Sequence, residues 1–263
     1  MSNILSSIYK SIKTVPIIGP LALLVRNAVK SPARERARLQ ERDAQTARRI
    51  IAELYPDQPE ALQYLENFRK SEIFSTSYGH GYSGDFDVLF LHTLTRILKP
   101  EIVVETGVAS GRSSSAILQA ISENKKGTLH SVDLPHFYEG TAPTFKETDE
   151  GNMELQGYVP AGKEPGWLIP ESLRSNWRLI LGDSKVELPK LVSTLSQIDI
   201  FYHDGEHNYE TMTKEFALVW EKIPVGGFLL ADDIDWNTAW SEFCTAHKGS
   251  YQFSYRHFGI LRK

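Results

Sequence analysis

The chain has 263 residues, 41% hydrophobic and 24% charged, with 29 Lys and Arg against 33 Asp and Glu. That balance suits one globular domain with its own core plus an extension, not a disordered or fibrous chain. A single cysteine, Cys244, excludes an internal disulfide framework and a multi-cysteine metal site, and a reducing cytoplasm is the simplest home.

The charge is unevenly placed. Residues 1–49 carry ten Lys and Arg against three Asp and Glu, leaving 19 against 30 in the remainder, so an anionic partner would meet the N-terminal arm. The apolar run Val15 to Val25 contains Pro16 and Pro20 and is too short for a transmembrane helix, which needs about 20 residues. Two readings of residues 1–30 stay open: an interfacial helix flanked by Lys10, Lys13, Arg26 and Lys30, giving peripheral membrane contact, or an arm docking on its own domain or on a second subunit. Residues 31–54 then read as a charged helix ending near Pro56. Residues 1–74 are accordingly expected to form a helical extension, and 75–263 the main domain.

From about residue 85, short apolar runs alternate with amphipathic segments. The runs are EIVVET (101–106), GTLHSVD (127–133), WRLILGD (177–183), IDIFYHD (198–204) and GGFLLADD (226–233). Each is apolar on both faces, as buried parallel strands are. Ile117, Leu118 and Ile121 follow the first run, and Met212, Phe216, Val219, Trp220 and Ile223 follow the fourth, at helical spacing. The alternation predicts βαβ crossovers and an α/β, doubly wound, mostly parallel sheet. After a helix near 237–247, YQFSYR and FGILRK predict an antiparallel hairpin at the sheet edge, which makes seven strands.

In open α/β sheets, ligands bind outside the carboxyl ends of the strands. The five runs end in Glu105, Asp133, Asp183, Asp204 and the pair Asp232 and Asp233, which together point to one ligand-binding rim. In ETGVASGRSSS, Gly107 and Gly111 bracket a turn and Ser113 to Ser115 open a helix, whose free N–H groups suit an anion or a close ligand. A dinucleotide fingerprint would need glycines at 109 and 112, where Ala109 and Arg112 stand. This disfavours NAD. A P-loop fails for lack of its Gly-Lys-Ser/Thr ending.

The spacing E-x-G-x-x-x-G resembles motif I of class I S-adenosylmethionine (SAM)-dependent methyltransferases, and the likeness continues in order over residues 75–263. LHSVDLP resembles the second-strand motif, LGDS the third, and DIFYHDGEHNYETM with GGFLLADDI those of bacterial macrocin-type and sugar O-methyltransferases. The resemblance implies SAM as cofactor, with Glu105, Gly107, Gly111, Ser113, Asp133, Asp183, Ser184 and Asp204 in its binding. Asp133 would hold the ribose hydroxyls, and Asp183 with Ser184 would lie near the adenine. It also implies Mg²⁺ held by Asp204, Asp232 and Asp233. Those relatives usually read Asp-Gly-Asp, whereas this chain reads Asp204-Gly205-Glu206-His207. The base is therefore Glu206 or His207, acting with the metal or alone on an oxygen or nitrogen acceptor, and a non-catalytic SAM-binding scaffold is the further alternative.

Each residue also has a plainer reading: Asp133 as a turn former, Asp183 as a helix cap, His203 as a packed core histidine. His203 and His207 flank turn chemistry at Asp204-Gly205, which argues against a zinc pair on one helix face. The 43 residues from 134 to 176, with His136, Phe137, Tyr138, Tyr158 and Trp167, exceed a usual connection and predict a lid or substrate wall, or else a dimer arm. Tyr78, His80 and Tyr82 are placed on the opposite wall. The acidic main domain lacks a basic, aromatic-interleaved patch, so the expected partner is a small hydroxylated molecule such as a sugar or glycolipid, not nucleic acid.

Overall fold

A computed structural model describes residues 32–76, 83–138, 144–147, 153–247 and 251–263. The expected N-terminal arm of residues 1–30 and the wall residues Tyr78, His80 and Tyr82 lie outside the described residues.

Seven strands form one sheet: β1 (Ile102–Thr106), β2 (Thr128–Asp133), β7 (Trp177–Leu181), β8 (Ile200–His203), β9 (Phe228–Ala231), β10 (Tyr251–Tyr255) and β11 (Phe258–Arg262). Their order is β10-β11-β9-β8-β1-β2-β7. β1, β2, β7, β8 and β9 run parallel, while β11 is antiparallel to both neighbours. The predicted hairpin is present, with its second arm lying inside the sheet and its first on the edge. Between β2 and β7, the chain adds two small pairings: β3 (Phe137–Tyr138) with β6 (Val159–Pro160), and β4 (Thr144–Glu147) with β5 (Met153–Gly157).

Helices cover both faces. α1 (Pro32–Leu54), α2 (Glu60–Arg69), α4 (Asp85–Leu98) and α5 (Arg112–Asn124) contribute to one buried cluster with Val103, Leu129, Tyr202 and Phe258, and the short α3 (Glu72–Ser75) adds Phe74. α6 (Ser184–Thr194), α7 (Tyr209–Trp220) and α8 (Ala239–Ala246) form the other with Val104, Phe201 and Leu261. Successive strand residues enter opposite clusters, as strand geometry requires.

The charged segment predicted at 31–54 is helical, yet its Ala44, Ala47, Ile50, Ile51 and Leu54 recur on one face and are buried in the first cluster. Burying each large aliphatic side chain contributes about 1.5–3 kcal/mol, so packing against α4 holds this helix in place. Asp43 on α1 also meets the hairpin, accepting from the Tyr255 hydroxyl at 2.9 Å and pairing with Arg256 at 3.0 Å.

One strand departs from expectation. β7 was read as apolar on both faces, but Arg178 and Leu181 are exposed because β7 is the open edge of the sheet. β8 and β9, flanked on both sides, are buried throughout.

Candidate active site

The chain steps outward from β1 through β2 to β7, then returns to the other side of β1 with β8. A crevice opens at such a reversal, outside the carboxyl ends of the strands. Here it is a cavity of about 730 Å³ bordered by Gly107, Asp133, Asp183, Ser184, Asp204, Glu206, His207, Asp232 and Asp233.

The turn after β1 is shaped by close packing. Gly107 has φ +84°, and a β-carbon there would lie 1.8 Å from the carbonyl oxygen of Asp204. Only glycine allows the loops after β1 and β8 to touch. Ala109 also sits in the left-handed region, at φ +46°. The N–H groups of Val108 and Ala109 donate to Asp133 Oδ2 at 3.1 and 3.0 Å. The Tyr158 hydroxyl lies 2.8 Å from Asp133 Oδ1 and 2.5 Å from the carbonyl oxygen of Leu134, so its one proton serves two acceptors. Burial raises the Asp133 pKa, while Tyr158 and the two amides oppose the rise.

Three of the motif residues stand behind the wall. Glu105 is fully buried and accepts from the hydroxyls of Ser113, Ser114 and Ser131 at 2.5, 2.6 and 2.8 Å. Burial pushes it up to about 7 against those three hydrogen bonds. Glu105 and Ser113 do not border the cavity; they bind the start of α5 to β1 and β2. Gly111, at φ +89°, faces Ile169 and Gly166, and a β-carbon there would lie 2.5 Å from Ile169 Cγ1. Its place is under the returning arm of the insertion, where Gly166 N–H donates to Ala109 O at 2.8 Å and Leu168 N–H to Ser110 O at 3.1 Å. Glu105, Gly111 and Ser113 support the loop that carries Gly107 to Ser110.

Asp183 has the plainer role as well as the cavity position. It caps α6, accepting from Lys185 N–H at 2.9 Å, and Ser184 begins that helix beside it.

Carboxylates crowd the other side. Asp204 Oδ2 accepts from the Ser83 hydroxyl at 2.9 Å and the Tyr202 hydroxyl at 3.1 Å. Asp232 Oδ1 accepts from Asp233 N–H at 2.9 Å, and Asp233 holds φ +48°. Asp87, at the start of α4, joins them, its carboxylate accepting from Gly84 N–H. Burial followed by the Asp232 charge raises Asp204 well above the ordinary range and Asp87 to about 8. Burial followed by Asp233 raises Asp232 to about 7, and burial raises Asp233 to about 6.

The two candidate bases differ sharply. Glu206 is bound by Lys185 at 2.6 Å and by the Thr211 hydroxyl at 2.7 Å. These partners, outweighing its desolvation, lower its pKa, so it clasps α6 to α7. His207 is largely buried, with Nε2 3.6 Å from Asp233 Oδ2 and 3.9 Å from Asp204 Oδ1. Its Nδ1 is buried without a hydrogen-bond partner among the described residues. Burial, then the nearby His203, holds its pKa well below the usual histidine value, which keeps the imidazole neutral.

His203 is a core histidine, as its strand position predicted. Its Nδ1 pairs with Glu215 at 2.8 Å, and Thr106 donates to the same carboxylate oxygen at 2.9 Å.

The predicted metal set does not assemble. Among the described residues, the group of three or more acidic and histidine side chains whose donor atoms all lie within 4.8 Å of one another is Asp233, Asp235 and His257, and Asp204 and Asp232 fall outside it. The Asp235 oxygens of this group already hold His257 Nδ1 at 2.7 and 2.9 Å. Asp204, Asp232 and Asp233 share one cavity without offering a common coordination point.

Residues 104–234 match the family described as "Methyltransferase domain". No curated protein matches the chain. Among solved structures, the calicheamicin methyltransferase CalS11 is 16% identical with a TM-score of 0.50, covering 83% of this chain and 91% of its own. The O-methyltransferase NovP is 17% identical with a TM-score of 0.49, covering 68% and 80%. The SAH-bound methyltransferase PaMTH1 of Podospora anserina is 13% identical with a TM-score of 0.47, covering 83% and 95%. The seven-stranded order and the first of these likenesses agree on the fold. No described helix is long and apolar enough to cross a membrane.

Proposed function

From the premise that this chain carries a SAM-dependent methyltransferase domain, we propose that it transfers the methyl group to an oxygen of a small hydroxylated acceptor, such as a sugar or the sugar of a glycolipid, with His207 as the base. One observation carries the reading: the matched segment, residues 104–234, supplies both ends of a single cavity, with Asp133 on one side and Asp204, His207 and Asp233 on the other.

The residues fit the cofactor. A buried carboxylate beside a glycine-bearing turn suits the ribose of a nucleoside, and Asp183 with Ser184 continues the wall toward an adenine. A cavity of about 730 Å³ is ample for a nucleoside and a small acceptor. SAM, when bound, supplies an electrophilic methyl group. The chain's own task is to hold the acceptor in line and remove its proton.

With hydrogen on Nδ1, the Nε2 lone pair of His207 is free to accept the hydroxyl proton. The resulting imidazolium lies 3.6 Å from Asp233, whose carboxylate, ionised above about pH 6, offsets its charge. The Trp236 ring packs beside that of His207, with centroids 5.3 Å apart. Mg²⁺ would demand near-octahedral oxygen ligation, which Asp204, Asp232 and Asp233 do not offer as placed. No step is assigned to it.

Calorimetric titration of SAM and its demethylated product, S-adenosylhomocysteine (SAH), tests the cofactor. Labelled-methyl transfer to a panel of sugar acceptors, with and without EDTA, then tests the reaction. Micromolar binding and EDTA-resistant transfer are expected. Absence of SAM and SAH binding would overturn the reading, and transfer abolished by EDTA would restore the metal to the mechanism.

A further inference from the structure

Asp133 is 3% exposed, and both of its oxygens are engaged. Oδ2 takes the amides of Val108 and Ala109, and Oδ1 takes the Tyr158 hydroxyl. A carboxylate offers about four lone-pair positions. The two amides come from the turn that shapes the site, and they stay with it. The third donor comes from elsewhere, on the insertion between β2 and β7.

Two features make that third donor exchangeable. The Tyr158 oxygen is already 2.5 Å from Leu134 O, so its proton can leave Asp133 without losing an acceptor. The ring is seated against His136, with centroids 5.9 Å apart and planes at 16°, and the Tyr158 N–H donates to His136 O at 2.9 Å. The backbone around the hydroxyl is thus fixed, and a small rotation carries the proton from one acceptor to the other. Both rings border the cavity.

We infer that Tyr158 is a latch on Asp133: of the two lone-pair positions that the Val108 and Ala109 amides leave, its hydroxyl occupies one that the 2′,3′-diol of a ribose must claim, and it retires to Leu134 O when the nucleoside binds. The inference rests on the proposed SAM reading and assigns Tyr158 a role in setting cofactor affinity. It predicts that the native site binds its nucleoside less tightly than the carboxylate alone would allow. A competitor built into the wall weakens SAM and product alike, which favours product release.

The test is calorimetry on the full chain and on Tyr158→Phe, with SAH, adenosine and 2′,3′-dideoxyadenosine as probes and thermal unfolding as the check on folding. Tyr158→Phe is expected to bind SAH and adenosine about tenfold more tightly, equivalent to ~1.4 kcal/mol. Dideoxyadenosine, which lacks the 2′ and 3′ hydroxyls that the carboxylate would hold, should bind both proteins equally. Unchanged or weaker binding of SAH by the variant would overturn the latch while leaving the cofactor reading intact. An equal gain for dideoxyadenosine would also overturn it, since the gain would not depend on the ribose. If neither protein binds SAH, the cofactor reading fails and the latch fails with it.

Discussion

Replacing Glu105 with Gln removes a titratable group from the core while keeping its shape. In the folded chain, the Glu105 pKa is raised by burial from 4.5 to about 7. The unfolded chain therefore gives up this proton first, and stability is lost as pH rises from about 4.5 to about 7. Below that window, the group is protonated in both states and costs nothing. Above it, the folded chain carries a buried carboxylate that the unfolded chain would expose to water. A displacement of roughly 2.5 pH units, at 1.36 kcal/mol each, amounts to about 3 kcal/mol.

Glu105→Gln abolishes that loss; at pH 5, where the folded native chain holds Glu105 protonated, it replaces a neutral carboxyl bonded to Ser113, Ser114 and Ser131 by a neutral amide, so its stability there should be at or slightly below that of the native chain. The informative quantity is the change between two pH values. Urea unfolding of both proteins at pH 5 and pH 8 should show the variant gaining about 2.5 kcal/mol relative to the native chain, because part of the loss is already present at pH 5. In thermal unfolding this is about 5 °C for a chain of this size. The same difference at both pH values would refute the reasoning, because it would mean that Glu105 ionises alike in the folded and unfolded states.

Gly107→Ala places a β-carbon on the Asp204 carbonyl in a left-handed backbone; a loss of at least ~3 kcal/mol in urea unfolding is expected, and a native-like midpoint would show that the two loops do not touch. His207→Ala should lower methyl transfer by about 10²–10⁴-fold with SAH affinity kept within a few-fold, measured by labelled transfer and calorimetry. Glu206→Gln should leave transfer within a few-fold and cost no more than ~1 kcal/mol of stability, because its pairing with Lys185 is half exposed. A reversal of these two effects would make Glu206 the base.

The strands were legible because burial on both sides forces apolar runs, and β1, β8 and β9 are buried for that reason. β7 carries the same run but lies at the edge, and neighbourhood in a sheet is a tertiary fact. Gly107 could be recognised from its spacing, whereas its partner, the Asp204 carbonyl, could not. The serines after Gly111 were visible as a helix start; their common acceptor, Glu105, becomes clear only when Ser131 arrives from β2. Asp87 was missed because an acid at the third position of a helix reads as a capping residue, which it also is. Its second property, facing Asp232 across the cavity, depends on residues nearly 150 positions away. Glu206 looked available until folding brought Lys185 to it.

The link between Asp43 and the hairpin has a consequence for biosynthesis. Asp43 is ready when α1 forms, but its partners Tyr255 and Arg256 come more than 200 residues later. At 5–20 residues per second, a nascent chain waits about 10–40 s for them. β9 likewise lacks a neighbour on one side until β11 has been made. The emerging chain thus passes through a stage in which a half-finished sheet displays an unpaired strand until β11 slots in beside β9.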